Sequence, residues 1–374
     1  MPATETLAEA ERVMTICNAC RYCEGHCAVF PAMEMRLAFS AADLAYLANL
    51  CHDCGACYHH CQYAPPHEFA VDVPRVFSDL RAQTYRDYCW PAFLGPLLER
   101  NGLAVSLITT AALVLFLLGS FLLVEPAALF GAHKGEGAFY AVIPHEVMIA
   151  IFGLISIYVI VAFVMGFRRF WRQTGESMGD FVRGGPFWGA MHDVLRLRYL
   201  EGGSGDGCTY PGEAPSQARR RYHHLTFYGF MLCFASTCIA TLYHYAFGWQ
   251  APYPWTSLPV VLGTVGGLGL LIGPAGLLWL KGRVDPQVVD PAGAGMEVAF
   301  ILLLFLTSLT GLLLLVLRAT PAMGVLLAIH LGIVLALFLT LPYGKFVHAV
   351  YRFAALVRYR LEIRRGSPVV IPEA

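Results

Sequence analysis

The chain has 374 residues, with 26 Lys and Arg against 26 Asp and Glu, and 57% of its residues are hydrophobic while only 14% are charged. Because soluble domains have about 25% charged residues, this composition excludes an ordinary soluble protein and places most of the chain in a lipid bilayer. We expect no nucleic-acid partner.

The charges are unevenly distributed along the chain. Residues 1–100 carry 7 Lys and Arg against 12 Asp and Glu, whereas the remaining 274 residues carry 19 against 14. We therefore divide the chain into an acidic soluble head (residues 1–100), a membrane body (residues 101–350) and a basic tail (residues 351–374).

Eight cysteines of the head form two identical runs. Cys17 begins a C-x2-C-x2-C-x3-C pattern, and Cys51 begins the same pattern 34 residues later. In proteins with two iron–sulfur clusters, the first three cysteines of such a run bind one cluster and the fourth binds the other. We therefore predict two [4Fe-4S] clusters, one on Cys17, Cys20, Cys23 and Cys61, and the other on Cys51, Cys54, Cys57 and Cys27.

Two other uses of these cysteines fit poorly. Zinc sites use paired C-x2-C units, in which a third cysteine at the same spacing has no tetrahedral role. A disulfide framework requires export, and residues 1–16 are acidic with no apolar core. The flanking histidines and the remaining cysteines lack ligand spacing, and we interpret them as supporting or structural groups: His26, His52, His59, His60, Cys89, Cys208, Cys233 and Cys238.

Between the two cysteine runs, residues 40–50 have the composition of a helix, with Ser40 as its N-cap. A helix at this position favours the α-helical type of two-cluster ferredoxin over the compact β-type.

The body contains apolar segments of about 20 residues, the length that spans a hydrocarbon core as a helix. Six such spans are predicted, at residues 103–123, 145–166, 223–247, 258–280, 296–317 and 323–346. We expect a mainly α protein, with a helical ferredoxin head followed by a six-helix transmembrane bundle. Residues 167–222 are different, because basic and aromatic residues there predict a helix lying on the membrane surface, followed by a flexible connector at 202–207.

Orientation follows from the distribution of the basic residues. If the head is inside, the inner segments hold 17 Lys and Arg, and the outer segments hold only Lys134 and Arg318. This bias predicts a multi-pass protein of the cytoplasmic (inner) membrane with both termini in the cytoplasm, where thiols stay reduced. Four arginines of the tail are expected to lie against anionic lipid, namely Arg358, Arg360, Arg364 and Arg365.

Histidines inside the spans are the second chemical signal, since polar side chains are costly there. His330 and His348 are 18 residues apart on the same predicted helix face. The antiparallel third span offers His223 or His224 at its inner end and His244 at its outer end. We therefore predict an inner pair with His348 and an outer pair with His330, which suit one or two b-type haems.

Some alternatives remain among the histidines. His223 is closer than His224 to the face of His244, and His145 at the start of the second span is a substitute for His244. Histidines at span ends often bond backbone carbonyls instead. We interpret His192 as structural.

Residues 330–348 resemble the last haem-binding helix of the nitrate reductase gamma subunit, whose terminal histidines bind different haems. The whole layout, with Arg-Tyr-His-His-Leu-Thr-Phe-Tyr-Gly-Phe at 221–230, is similar to the tricarballylate or citrate utilisation protein B family. The resemblance implies an electron-transfer protein that reoxidises the flavin of a separate dehydrogenase and reduces the membrane quinone pool.

The chain contains no G-x-G-x-x-G dinucleotide fingerprint after a strand. Because the predicted cofactors carry single electrons, a partner must supply the two-electron chemistry. We expect an FAD-dependent dehydrogenase on the head, and we regard the chain as one component of an oxidoreductase system. The alternatives are an iron–sulfur redox sensor or membrane anchor without haem, and a transporter, although the spans carry almost no paired charges.

Overall fold

The computed structural model of the protein describes residues 3–182, 184–202, 205–284 and 291–366. The described chain is mainly α-helical, as the sequence predicts. Its described strands, β1 (Cys208–Thr209) and β2 (Pro215–Ser216), pair antiparallel in one short hairpin.

Six helices form the head. They are α1 (Ala3–Cys20), α2 (Val29–Glu34), α3 (Ala41–Leu50), α4 (Ala56–His59), α5 (Val73–Tyr88) and α6 (Pro96–Glu99). The predicted start of α3 is confirmed, because the Ser40 hydroxyl accepts a hydrogen bond from the Asp43 amide at 3.2 Å and the Asp43 carboxylate accepts one from the Ser40 amide at 3.3 Å. This reciprocal cap satisfies two amides that the first helical turn leaves free.

The helices that follow the head are α7 (Asn101–Leu123), α8 (Pro126–Leu129), α9 (His145–Gln173), α10 (Met178–Val182), α11 (Gly184–Arg196), α12 (Ala218–Phe247), α13 (Leu258–Lys281), α14 (Pro291–Leu317), α15 (Met323–Thr340) and α16 (Val347–Arg365). Six of these are long and apolar enough to cross a membrane, namely α7, α9, α12, α13, α14 and α15. They match the six predicted spans, which indicates a membrane protein.

The sixth span is not continuous with the helix that carries His348. After α15 ends at Thr340, a 3₁₀ turn at Leu341–Tyr343 leads to α16. Pro342 lies in this break, and proline lacks the amide hydrogen that a continuing helix needs. The predicted common helix face of His330 and His348 is therefore wrong, since the two residues lie on different helices.

Helix α16 packs into the head and differs from the predicted lipid-facing tail. Its Tyr351 and Ala354 share a buried core with Tyr46 and Phe77 of the head. Three of the predicted lipid-binding arginines instead pair with protein carboxylates, Arg358 with Asp43, Arg360 with Asp193 and Arg365 with Glu176. Residues 367–374 of the predicted tail lie outside the described residues.

The segment between the second and third spans packs against α16 and the head. Helix α9 continues to Gln173, beyond the predicted end of the second span at residue 166. A helix is present where the surface helix was predicted, namely α11, which exposes Trp188 and buries Asp193 against α16. Its location at the membrane surface stays a prediction. Part of the predicted connector, residues 203–204, lies outside the described residues, and the hairpin β1–β2 after it was not predicted.

Candidate functional site

The fourth cysteine of each run lies with the other run. Cys17 and Cys20 are in the last turn of α1, and Cys23 follows in the next loop. Together with Cys61 they line a cavity of about 250 Å³. We call Cys17, Cys20, Cys23 and Cys61 the first cysteine group.

The other four cysteines line a second and much narrower cavity, of about 10 Å³. Cys51 caps the end of α3, and Cys57 lies within α4. Cys27, the fourth cysteine of the first run, also lines this cavity, which is the grouping that the cysteine spacing predicts. We call Cys27, Cys51, Cys54 and Cys57 the second cysteine group.

Two histidines, each next to the fourth cysteine of its run, contact one another. His26 precedes Cys27 and His60 precedes Cys61, and Nε2 of His26 lies 2.9 Å from Nδ1 of His60. Burial, followed by the nearby His60, lowers the pKa of His26. The lowered pKa favours the neutral form of His26, and a neutral imidazole can donate one hydrogen bond and accept another.

The surroundings of the first cysteine group disfavour the deprotonated form of its thiols. Burial, together with the neighbouring cysteines, raises the pKa of Cys17 and Cys23 to about 12. These thiols are therefore protonated at neutral pH without iron, and binding iron as thiolate ligands releases their protons. Within the described residues, no three His, Cys, Asp or Glu side chains converge on the position of a single metal ion. The four thiols around the first cavity, of about 250 Å³, fit a cluster of several irons. The second cysteine group offers the same donor set around a much smaller space.

The loop between Cys51 and Cys57 has an unusual backbone shape. Asp53 and Gly55 both have left-handed conformations, with φ of 54° and 76°. A Cβ atom on Gly55 would lie 2.9 Å from the carbonyl oxygen of Thr209, so glycine permits the hairpin to approach the loop closely.

The hairpin β1–β2 also places Cys208, which belongs to neither cysteine run, beside the second cysteine group. Cys208 is fully buried, its thiol donates to the Leu200 carbonyl at 3.4 Å, and it packs in the same buried cluster as Cys54. Sequence reasoning treated Cys208 as structural and missed this contact. No local spacing could have found it, because the contact depends on how the hairpin packs.

The histidines at the inner ends of the spans lie close together. The rings of His223 on α12 and His348 on α16 have centroids 6.3 Å apart and planes at 83°. Nδ1 of His348 bonds the Lys345 carbonyl, whereas Nδ1 of His223 is buried without a hydrogen-bond partner among the described residues. We call His223 and His348 the inner histidine pair.

His224 points elsewhere. Its ring lies against Tyr228, with centroids 5.7 Å apart, and its Nε2 is buried without a hydrogen-bond partner among the described residues. Of the two neighbouring candidates, the structure therefore places only His223 against His348.

The outer histidines are arranged differently from the expectation. The ring of His244 stacks on His145, with centroids 3.7 Å apart and planes at 24°. Nδ1 of His330 lies 3.0 Å from the hydroxyl of Thr310 on α14. The predicted facing of His244 and His330 is not observed, because α12 packs along α13 while α15 packs against α7, α14 and α9.

Comparison with known proteins places this arrangement in a family. A family profile described as "Citrate utilization protein B" matches residues 96–369, and one described as "Citrate utilization protein B Fer4-like domain" matches residues 10–87. An Escherichia coli protein named "Citrate utilization protein B" is 52% identical over 373 aligned residues, covering 97% of this chain and 94% of that protein. The chain belongs to the citrate utilization protein B family.

Membership of the citrate utilization protein B family confirms the resemblance seen in the sequence. The Fer4-like match covers both cysteine runs and indicates iron–sulfur clusters and a role in electron transfer. No solved structure matches the chain.

Proposed function

We propose that the protein is a membrane-bound electron carrier of citrate or tricarballylate utilisation. It reoxidises a partner flavoprotein dehydrogenase and reduces quinone. The observation that carries this proposal is the position of two groups of four thiols in a head that packs on the inner histidine pair. The name and 52% identity of the Escherichia coli relative support the metabolic setting.

In this proposal the first cysteine group holds one [4Fe-4S] cluster and the second cysteine group holds the other. When bound, such clusters and haem carry single electrons at potentials set by charge, hydrogen bonding and burial. The cysteines supply the thiolates, and the buried walls of the second cysteine group keep water away from its cavity. Cys51 and Cys54 have at most 9% of their surface exposed, which supports that role.

The inner histidine pair is the proposed site of a b-type haem. The rings of His223 and His348, with centroids 6.3 Å apart, would hold the haem through their imidazole nitrogens. The haem would supply a one-electron carrier at the inner end of the spans. The haem number is proposed to be one or two. His330 is kept as a candidate ligand of a second haem near the outer surface, although His244 stacks on His145 instead of facing it.

The head and both termini are proposed to lie in the cytoplasm, with the body in the cytoplasmic membrane. The excess of 17 inner Lys and Arg over Lys134 and Arg318 outside supports this orientation. The proposed domain limits are those predicted from the sequence, with the head at residues 1–100, the body at 101–350 and the tail at 351–374, of which the described part belongs to α16 and packs on the head.

An FAD-dependent dehydrogenase is the proposed partner, because a two-electron donor must deliver electrons to one-electron carriers. The test is to purify the protein in detergent without oxygen, and to measure iron, acid-labile sulfide and haem. We expect about eight iron and eight sulfide per chain, a haem spectrum, and quinone reduction that depends on the added dehydrogenase. Clusters without haem would instead support the iron–sulfur sensor, and zinc in place of iron would overturn the proposal.

A further inference from the structure

Three arginines donate hydrogen bonds to the backbone of the loop that carries Cys51 and Cys54. Arg352 donates to the Cys51 carbonyl at 2.6 Å, and Arg81 donates to the same oxygen at 3.2 Å. Arg219 donates to the carbonyl of Asp53. Arg81 belongs to the head, but Arg219 and Arg352 come from the helices of the inner histidine pair.

The spacing of these residues is the same on both helices. Arg219 lies four residues before His223 on α12, and Arg352 lies four residues after His348 on α16. Residues four apart share one face of a helix, about one turn from each other. Each helix therefore presents a histidine and an arginine on the same side, and the loop lies over the inner histidine pair.

His52 belongs to the same loop. It is 8% exposed, its Nδ1 lies 2.9 Å from the Leu50 carbonyl, and the centroid of its ring is 5.6 Å from that of Tyr199. Through the hydrogen bonds from Arg352 and Arg219, the loop connects the second cysteine group with the helices of the inner histidine pair.

Of the three arginines, Arg81 has a carboxylate partner, with Nη2 3.7 Å from a carboxylate oxygen of Asp53. Within the described residues, no Asp or Glu forms an ion pair with Arg219 or Arg352. Nε of Arg352 is also buried without a hydrogen-bond partner in the described part of the chain. Because an unpaired buried charge is destabilising, an anionic group held by four thiolates is the counter-charge that suits these arginines.

The first cysteine group has a different environment. Its cavity is lined by Tyr22, which is 69% exposed, and by His60, which is also exposed. It reaches the protein surface, where a partner protein can approach it, while the second cysteine group is covered by the loop and the hairpin.

We propose that Arg219 and Arg352 are positioning residues that hold the second cysteine group over the inner histidine pair, so that electrons enter the head at the first cysteine group and leave it from the second. This inference rests on the proposed function. Each electron passes from the first cysteine group to the second and then to the inner histidine pair. Two passes carry the electron pair that a reduced flavin gives up and that quinone accepts with two protons.

The test uses the full-length protein with its clusters and three variants, Arg219→Gln, Arg352→Gln and Arg352→Lys. A redox titration followed by electron paramagnetic resonance measures the midpoint potential of each cluster. Both glutamine variants should lower the potential of the cluster that Cys54→Ser removes and leave the other unchanged, because a nearby positive charge stabilises the reduced cluster. Arg352→Lys keeps the positive charge, so the midpoint potential of that cluster should stay close to the wild-type value.

A second readout does not depend on electron transfer. Hydrogen exchange of residues 51–57 should become about tenfold faster in Arg352→Gln, which is the effect expected from losing a charged hydrogen bond. Arg365→Gln is the matched control, because Arg365 is on the same helix but is half-exposed and pairs with Glu176.

Equal shifts of both potentials, or a shift of only the cluster at the first cysteine group, would overturn the inference. Unchanged potentials and unchanged exchange in both glutamine variants would overturn it as well, while leaving the proposed function intact. Wild-type protein without two clusters would overturn the proposed function and this inference together.

Discussion

Arg360 of α16 binds the carboxylate of Asp193 on α11 through two nitrogens, with Nε 2.8 Å from Oδ2 and Nη2 2.6 Å from Oδ1. The Asp193 side chain has no exposed surface, and Arg198 is a second partner at 3.4 Å. A buried carboxylate needs such partners, since its hydration is lost. The pair therefore joins the segment after the second span to the helix that follows the sixth.

Replacing Arg360 with Met should destabilise the protein by about 2 kcal/mol, less than the 3–5 kcal/mol typical of breaking a buried pair, because Arg198 remains near Asp193. Thermal unfolding in detergent measures the change. Arg364→Met is the control, because Arg364 is exposed on the same helix. Equal stability of the two variants would show that Arg360 contributes no more than an exposed arginine.

The crossing of the two cysteine runs can be tested by comparing serine variants. Cys27→Ser should remove the same cluster as Cys54→Ser, and Cys61→Ser the same cluster as Cys20→Ser, because each pair lines one cavity. Iron content should fall from about eight to about four in each variant, and paramagnetic resonance identifies the cluster that remains.

Cys238→Ser is the control for these variants, since Cys238 is exposed on α12 and lies in neither cysteine group. If Cys27→Ser instead removed the cluster that depends on Cys20, each run would bind its own cluster and the crossed assignment would be wrong.

Histidine variants test the electron path. His348→Ala should lose the inner haem and abolish quinone reduction, while its clusters stay assembled and reducible by the dehydrogenase. His330→Ala should lose part of the haem spectrum and keep some turnover if quinone is reduced on the inner side. His192→Ala, an exposed position on α11, serves as the control. Full haem and activity in the first two variants would mean that the body is only an anchor.

Orientation can be tested with reporters. A reporter fused after Ala374 should be active only in the cytoplasm, and one inserted at Gly131, between the first and second spans, only on the opposite side. A C-terminal reporter that is active outside the cytoplasm would show that the number of membrane crossings is odd.

The raised pKa values of the first cysteine group predict slow thiol chemistry in iron-free protein. With a pKa of about 12, Cys17 and Cys23 are mostly protonated below pH 11, so their alkylation rate should rise about tenfold per pH unit between pH 7 and 10. Mass spectrometry of labelled peptides measures each site, with free cysteine as the reference. A plateau near pH 9 would contradict the raised values.

Local patterns were enough to predict much of this molecule. The cysteine spacing predicted which thiols share a cavity, and the Ser40 cap and the six apolar spans depend only on neighbouring residues. His223 was preferred over His224 from its position relative to the helix face of His244, and it is His223 that lies near His348, while its role as a haem ligand stays a prediction.

The features that sequence reasoning missed depend on distant contacts. The break after Thr340 was hidden inside an apolar run, although Pro342 was a signal that could have indicated it. The stacking of His244 on His145 depends on which spans are neighbours. The docking of α16 on the head joins residues more than 300 positions apart, such as Tyr46 and Glu362 at 2.9 Å.

The hydrogen bond between His26 and His60 joins corresponding positions of the two cysteine runs, because the residues are 34 positions apart and so are the runs. The two runs therefore touch at equivalent positions, each through the residue that precedes its fourth cysteine. The two cysteine groups nevertheless differ in their surroundings, because Arg352 and Arg219 donate hydrogen bonds to the backbone of the loop that begins at Cys51.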